Sequence, residues 1–361
     1  MEKDLRPVIG ITMGDPAGNG PEISVKALTR PETYEKTRPV IVGDARIIKK
    51  AAELLNREDI RINAVDDLDK AVFRCGTIDV FHMDLIKDPS SFRTCAVSVE
   101  GGNAAFQCVR KVIELALSGK VDATCTNALN KEAMNLALET YKGRYSDGHT
   151  HFDGNTEIYA AYTGTKRYTM MLAYGDLRVV HVSTHCSLRE ACDRVKKDRV
   201  LDVIKIAYEA VRDLGIERPR IAVAGLNPHS GENGLFGREE IDEIIPAVRE
   251  ASGMGMDVTG PVPPDSVFPE AAGGLYDIVV AMYHDQGHIP VKTLGFEFDR
   301  ESGRLMSLKG VNVTLGLPII RTSVDHGTGF QIAWKGISSD ESLVNAIDYA
   351  VRLYNGRRTR G

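Results

Sequence analysis

The chain has 361 residues, of which 43% are hydrophobic and 26% are charged, as in an ordinary globular protein. With roughly 150 residues per domain as a guide, this length predicts two domains. The net charge of −5 and the pI near 6.0 argue against a nucleic-acid binder, because no basic excess is present to displace the counterions of a polyanion. No apolar run approaches the roughly 20 residues of a membrane helix, and the N-terminus has no apolar signal segment. We therefore expect a cytoplasmic protein without membrane or nucleic-acid partners.

The first third of the chain alternates between strands and helices. The predicted elements are a strand at 8–13, a helix at 21–28, a strand at 39–43, a helix at 47–55, a helix at 103–117 and a strand at 121–126. Such alternation predicts an α/β fold with a parallel sheet covered by helices.

The remainder of the chain departs from simple alternation. Strands at 168–173 and 177–183 flank a short turn, which is typical of an antiparallel hairpin. Polar stretches at 139–153 and 297–309 are expected to be surface loops. The other predicted elements are a helix at 198–214, a strand at 220–224, a Gly-rich loop at 225–237, a helix at 238–250, a strand at 276–282 followed by a loop, a strand at 311–314 and a helix at 340–354.

Three histidines share one sequence context, since His185, His229 and His284 each come just after a predicted buried strand. The carboxyl ends of strands form the ligand crevice of α/β sheets, so these side chains are expected to converge. Three neutral imidazoles suit a divalent transition metal that keeps open positions for substrate oxygens. Three separate surface histidines are the alternative, because no short H-x-x-x-H pair fixes their geometry.

Other polar segments have more than one interpretation. His149 and His151 could face one side of an extended segment, but a solvated loop fits their polar surroundings better. His326 could be catalytic or could bond its own backbone. The segment 14–22 (GDPAGNGPE) lies between a strand and a helix, where Gly-rich loops often bind phosphate, although it lacks the P-loop and dinucleotide patterns and could be a tight turn.

Lys292, Asn312 and Arg321 are the candidate anion contacts. Arg321 ends an apolar run, so its charge needs a partner. A guanidinium suits bidentate recognition of phosphate or carboxylate, while a lysine supplies a point charge. An internal salt bridge is the alternative for each basic residue.

Four longer segments together resemble one family. They are ITMGDPAG at 11–18, GLNPHSGE at 225–232, AMYHDQG at 281–287 and IRTSVDHGT at 320–328. They are similar to the 4-hydroxythreonine-4-phosphate dehydrogenase family of pyridoxine biosynthesis, which includes a branch acting on D-threonate and D-erythronate 4-phosphate. The likeness extends from about residue 7 to the C-terminus.

The resemblance implies two α/β domains with the active site between them, similar to isocitrate and isopropylmalate dehydrogenases. We accordingly expect one domain of 1–126 with about 318–361, and a second of 127–317. It also implies a homodimer whose sites draw on both chains, NAD as the hydride acceptor, and one divalent ion per site (Zn, Mg, Co or Mn). The residues that match the family are His185, His229 and His284 as metal ligands, Lys292, Asn312 and Arg321 as substrate contacts, and Asp265 as the aspartate of its proline–aspartate motif.

One position departs from the family. Asn155 occupies the place of a common substrate-contacting histidine, while the neighbouring Thr156 matches. We expect both to contact the substrate. Asparagine can hydrogen-bond but cannot carry a proton or a charge, which leaves the identity of the substrate open.

The implied reaction is NAD-dependent, metal-dependent oxidation of the C3 hydroxyl of a 4-phosphorylated four-carbon hydroxy acid, followed by decarboxylation. Lys292 is the candidate for polarisation or proton transfer with Asp265 orienting it or holding the metal, and these two roles could be exchanged. His288 is expected to be a neighbour and not a ligand. The alternatives are a metal-dependent phosphosugar-binding or regulatory homologue without turnover, and a metal hydrolase that needs no NAD.

Overall fold

The computed structural model describes residues 4–142, 148–298 and 305–360. The chain splits into two compact units, unit 1 (Met1–Thr165 and Leu317–Tyr354) and unit 2 (Lys166–Gly316 and Asn355–Gly361). The strands are β1 (Val8–Thr12), β2 (Arg38–Gly43), β3 (Arg61–Val65), β4 (Thr77–His82), β5 (Ala123–Thr126), β6 (Thr169–Tyr174), β7 (Leu177–His181), β8 (Arg220–Ala224), β9 (Asp257–Val262), β10 (Ile278–Ala281), β11 (Phe296–Phe298), β12 (Leu305–Leu308), β13 (Val311–Leu315) and β14 (Arg321–Val324). The α-helices are α1 (Gly20–Ala27), α2 (Pro31–Lys36), α3 (Ala45–Leu54), α4 (Val99–Leu117), α5 (Lys131–Thr140), α6 (Asn155–Tyr162), α7 (Leu188–Arg194), α8 (Lys197–Asp213), α9 (Ile245–Gly253), α10 (Pro264–Ala272), α11 (His284–Gly295) and α12 (Glu341–Arg360).

Unit 1 is built on a parallel sheet. Its strands lie in the order β3-β4-β2-β1-β5-β14, and every described pairing between them is parallel. All five residues of β1 are buried, as expected for a strand covered by helices on both faces. The α/β fold class predicted from the strand–helix alternation is thus confirmed.

Helix α5 belongs to unit 1, whereas the sequence placed the domain boundary at 126/127. It lies so close to α4 that a Cβ on Gly102 would be 2.0 Å from the Ala133 carbonyl oxygen. Such close helix packing requires glycine at this position. The contact keeps the segment after β5 with the sheet of unit 1.

The Gly-rich loop before α1 is tied to a segment near residue 335. Glu22, fully buried in α1, accepts hydrogen bonds from the amides of Trp334 (2.8 Å) and Gly336 (2.6 Å). The indole Nε1 of Trp334 donates to the Pro16 carbonyl oxygen at 3.1 Å. Glu22 therefore has a structural role in joining these two segments.

Unit 2 has a mixed sheet in the order β13-β6-β7-β10-β8-β9. Strands β6 and β7 pair antiparallel, with Tyr174 opposite Leu177, which confirms the predicted hairpin. The pairings β7–β10, β10–β8 and β8–β9 are parallel.

Two expectations about loops are wrong in unit 2. Helix α11 occupies the segment after β10 where a loop was expected; Gly287 and Pro290 within it conceal the helical pattern. The stretch 297–309 contributes to an antiparallel pair of β11 and β12, with residues 299–304 outside the described part. The other expected loop, 139–153, begins inside α5, and its residues 143–147 are also outside the described part. In the described ranges, no helix combines the length and apolarity needed to cross a bilayer.

Candidate active site

The three predicted metal ligands follow three adjacent parallel strands of unit 2. Strand β10 lies between β7 and β8, and Val280 pairs with both Val180 and Val223. Because these strands are parallel, their carboxyl ends share one edge of the sheet. His185 follows β7, His229 follows β8, and His284 begins α11 just after β10.

The structure brings His185 and His284 together. Their ring centroids are 5.8 Å apart, and both line a cavity of about 300 Å³. The lining residues are Thr184, His185, Cys186, Leu188, Ala191, Tyr283, His284 and Asp285. Two imidazoles that bind one zinc ion through Zn–N bonds of about 2.0–2.1 Å have ring centres at a separation similar to that of His185 and His284. The pair therefore fits two imidazole ligands of a shared divalent ion.

The His284 imidazole is oriented by a carboxylate. Its Nδ1 lies 2.6 Å from Oδ1 of Asp285. A histidine whose Nδ1–H donates to a carboxylate keeps Nε2 as a lone-pair donor, an arrangement typical of metal-binding histidines. This donor chemistry fits a metal ligand at position 284.

His229 lies in an unusual turn. Five consecutive residues, 229–233, have left-handed backbone angles, with φ of 51° at His229. Each non-glycine residue in this conformation costs roughly 1–2 kcal/mol, and four of the five are not glycine. Backbone strain of this kind tends to persist at functional sites, where the surroundings over-determine it.

Within the described ranges, no three His, Cys, Asp or Glu side chains are grouped so that they could hold a metal ion. The ring of His229 lies near Phe236, at a centroid distance of 6.3 Å. His185 and His284 are thus adjacent in one chain, whereas a site shared by all three histidines remains a prediction.

Two further histidines, not selected as ligands from the sequence, pack against His284. His288 stacks on it with ring centroids 3.6 Å apart and planes inclined by 12°, and its Nδ1 lies 2.9 Å from the His284 carbonyl oxygen. The fully buried ring of His181 lies 4.7 Å from that of His288. Burial lowers the pKa of His181 to about 4 and that of His288 to about 2, so both imidazoles are neutral at pH 7. The sequence signal for His181 was a titratable residue inside a predicted buried strand.

Helix α11 connects this cluster to the His229 segment. Gln286 accepts from the Met282 amide (2.7 Å) and donates to the Gly225 carbonyl oxygen (2.8 Å), where the turn region begins. Lys292 lies eight residues after His284, hence on the same side of the helix, and its Nζ is 5.4 Å from the ring centroid of Phe296.

The other predicted contacts of unit 2 lie on separate elements. Asp265 is exposed in the first turn of α10. Asn312 on β13 has its Nδ2 2.8 Å from Sδ of Met170. Asp265 and Asn312 thus lie on different elements from the histidine pair.

Unit 1 supplies a buried cation. Arg321, only 3% exposed, donates through Nε (3.2 Å) and Nη2 (2.7 Å) to Oγ1 of Thr126. Its guanidinium lies over the ring of Tyr159 at 5.6 Å, and burial lowers the pKa of Arg321. Tyr159 is on α6, whose first two residues are Asn155 and Thr156. Arg321 therefore packs against the helix that carries Asn155 and Thr156, the two predicted substrate contacts. Oδ1 of Asn155 is buried and has no hydrogen-bond partner among the described atoms.

The remaining histidine alternatives have simple local surroundings. His151 lies 3.2 Å from the Asp153 carboxylate on the surface, while the His149 ring packs near Phe152 at 4.9 Å. His326 bonds the Gly327 carbonyl oxygen through Nδ1 at 2.8 Å. These contacts do not assign a catalytic role to any of the three.

Comparison with known proteins identifies the family. The family model described as "Pyridoxal phosphate biosynthetic protein PdxA" matches residues 35–350. A protein of Oceanobacillus iheyensis named "Putative D-threonate 4-phosphate dehydrogenase" is 45% identical over 349 residues, covering 96% of this chain and 98% of its own. A protein of the same name from Bradyrhizobium diazoefficiens is 45% identical over 351 residues, covering 96% and 97%.

Solved structures agree with this assignment. The 4-hydroxythreonine-4-phosphate dehydrogenase of Klebsiella pneumoniae is 42% identical with a TM-score of 0.81, covering 96% of this chain and 99% of that one. The enzyme of the same name from Burkholderia phymatum is 43% identical with a TM-score of 0.79, covering 97% and 99%. The chain therefore belongs to the PdxA family of dehydrogenases.

Proposed function

We propose that the chain catalyses the NAD-dependent and divalent-metal-dependent oxidation of the C3 hydroxyl of D-threonate 4-phosphate, followed by decarboxylation to dihydroxyacetone phosphate. The observation that carries this proposal is the His185–His284 pair at adjacent strand ends, with Asp285 on His284 Nδ1. The names of the relatives at 45% identity favour the threonate substrate. D-erythronate 4-phosphate and 4-hydroxy-L-threonine 4-phosphate are the competing substrates.

The proposed ligands are His185, His229 and His284. A bound divalent ion supplies Lewis-acid stabilisation of negative charge on substrate oxygens, and NAD supplies the hydride acceptor. His284 presents Nε2 because its Nδ1 is engaged by Asp285. A homodimer in which a second copy completes the ligand set accounts for only two of the three imidazoles being grouped within one chain.

The chain's other residues bind and orient the substrate in this proposal. Arg321 offers a guanidinium for the phosphate or the carboxylate, and its burial strengthens that interaction. Asn155 and Thr156 hydrogen-bond substrate oxygens; the unpartnered Oδ1 of Asn155 supports this role. Asn312 provides a further hydrogen bond. Lys292 moves the proton of the reacting hydroxyl or polarises its oxygen. Asp265 orients Lys292, or the two residues exchange these roles.

A substrate panel tests the proposed reaction. NADH formation should be measured with metal-reconstituted protein and each of the three 4-phosphorylated acids. The highest kcat/KM is expected with D-threonate 4-phosphate, together with release of CO₂ and dihydroxyacetone phosphate. Metal-loaded protein that binds these compounds but never reduces NAD would support the binding homologue without turnover. Turnover without NAD would support a hydrolase.

Mixing two inactive variants tests the shared site. His185→Ala and His229→Ala should each lose metal and activity while keeping the fold. If His185 and His229 of one site come from different chains, heterodimers of the two variants should regain part of the activity. No recovery in verified heterodimers would place His185 and His229 of one site in the same chain.

A further inference from the structure

The turn that carries His229 is closed by a carboxylate from the following helical segment. Glu240 is 1% exposed and lies in a π-helical turn, Glu240–Ile244, just before α9. Its Oε1 accepts from the amides of Leu226 (2.8 Å) and Asn227 (2.7 Å), the two residues before Pro228. Its Oε2 accepts from Nδ2 of Asn227 at 3.0 Å.

The same carboxylate also limits the left-handed part of the turn. A Cβ on Gly231 would lie 2.6 Å from Oε2 of Glu240, so glycine is needed for sterics as well as for its φ of 78°. Glu240 therefore contacts the chain on both sides of His229, two and three residues before it and two residues after it. Single π-helical turns occur frequently at functional sites, which fits a residue placed by such a turn.

We infer that Glu240 is a positioning residue for His229: it holds the 226–233 turn in its left-handed form and so fixes where the imidazole points. This inference rests on the proposed function, in which His229 is a metal ligand. A carboxylate suits the role because it accepts several N–H groups at once. A glutamine cannot reproduce it, since one of its two terminal groups is a donor and would face the Asn227 Nδ2 donor.

The test uses Glu240→Gln, with Glu243→Gln as the matched control. Glu243 lies in the same π-helical turn, but its carboxylate bonds Nζ of Lys196 (3.1 Å) and the amide of Lys197 (2.7 Å) instead. Zinc affinity of the full-length protein should be measured by competition with a chelator. Loss of a group that orients a metal ligand typically lowers metal affinity 10–100-fold, and we expect a loss in this range for Glu240→Gln. The control should remain within about twofold of wild type.

Hydrogen exchange of the metal-free protein tests whether Glu240 holds the turn, separately from whether it positions His229. Peptides covering residues 225–237 should exchange faster in Glu240→Gln than in wild type or in Glu243→Gln. Unchanged exchange would overturn the role of Glu240 in holding the turn. Faster exchange with wild-type zinc affinity would overturn its role in positioning His229. Wild-type protein that binds none of zinc, magnesium, cobalt or manganese would contradict the proposed function instead, and the exchange data would still decide whether Glu240 holds the turn.

Discussion

The imidazoles of His284 and His288 lie face to face, with centroids 3.6 Å apart, and His288 Nδ1 bonds the backbone carbonyl of His284. The two residues are four positions apart in α11, so they lie one turn apart on the same face of the helix. It constrains the ring of His284 from one face while Asp285 constrains it at Nδ1.

His288→Leu should weaken metal binding without unfolding the protein. Leucine retains much of the buried volume but removes the stack and the hydrogen bond to the His284 carbonyl. We expect a loss in zinc affinity of about 10–100-fold, measured by chelator competition. His151→Leu is the control, since His151 lies on the surface beside Asp153. Equal affinities in the two variants would show that the stack does not hold the His284 ring.

Gly287→Ala should destabilise the same region through direct overlap. An added Cβ would lie 2.4 Å from Nε2 of the buried His181 and 2.7 Å from Cγ1 of Val179. Overpacking of this kind typically costs about 1–3 kcal/mol, which urea denaturation can measure. Gly253→Ala is the control, because a Cβ there meets no atom within 4 Å and no loss of stability is expected. A neutral Gly287→Ala would mean that β7 and α11 separate easily.

Asp15→Asn should change how stability depends on pH. Burial raises the pKa of Asp15 from 3.8 to about 6, although the amides of Ala17 and Asn130 partly oppose this shift. A carboxyl group with a raised folded-state pKa stabilises the fold fully below about pH 4 and loses that contribution as the pH rises through about 6. The shift corresponds to about 3 kcal/mol, lost between pH 4 and 7 in the wild type and retained in the variant.

Urea denaturation at several pH values from 4 to 8 provides the measurement. The free energy of unfolding of Asp15→Asn should rise relative to wild type as the pH increases. Asp88→Asn should show almost no pH dependence over this range, because the hydroxyls of Ser90 and Ser91 lower the pKa of Asp88 to about 2 and its contribution changes only between about pH 2 and 4. A difference between Asp15→Asn and wild type that does not vary with pH would contradict the assignment.

Thr126→Val should affect both stability and substrate binding. It removes the oxygen that accepts two N–H groups of the buried Arg321 guanidinium. Loss of a partner of a buried polar group costs about 1–3 kcal/mol of unfolding free energy. The KM for the phosphorylated substrate should rise more than kcat falls, since Arg321 is proposed to bind and not to react. Thr140→Val, whose exposed hydroxyl bonds only within its own helix at the Leu136 carbonyl, should leave both quantities unchanged.

Strands with long apolar runs were predictable from the sequence. The strand predicted at 220–224 has those bounds in the structure, and the 168–183 hairpin is present. In both cases the apolar run is enough to locate the strand in the sequence, because charged or turn-forming residues lie at its ends. The adjacency of the strands that precede His185, His229 and His284 comes from the sheet pairing, and their shared ligand set stays a prediction.

The finer arrangement was not predictable from residue patterns. Helix α11 is interrupted by glycine and proline, so local propensity opposes it, and packing against β7 and β6 overrides that propensity. The left-handed turn at His229 depends on Glu240, which is eleven residues away. Ring stacking of His288 on His284 depends on side-chain orientations that hydrophobic periodicity does not record.

The indole of Trp334 has a practical consequence for studying this protein. It is the chain's single tryptophan, and its Nε1–H bonds Pro16 while Lys50 Nζ lies 5.6 Å from its ring. All three residues lie in the unit that contains Arg321. Tryptophan fluorescence will therefore register melting of that half, whereas far-ultraviolet circular dichroism registers both halves. Midpoints that differ between the two signals would reveal stepwise denaturation without any attached label.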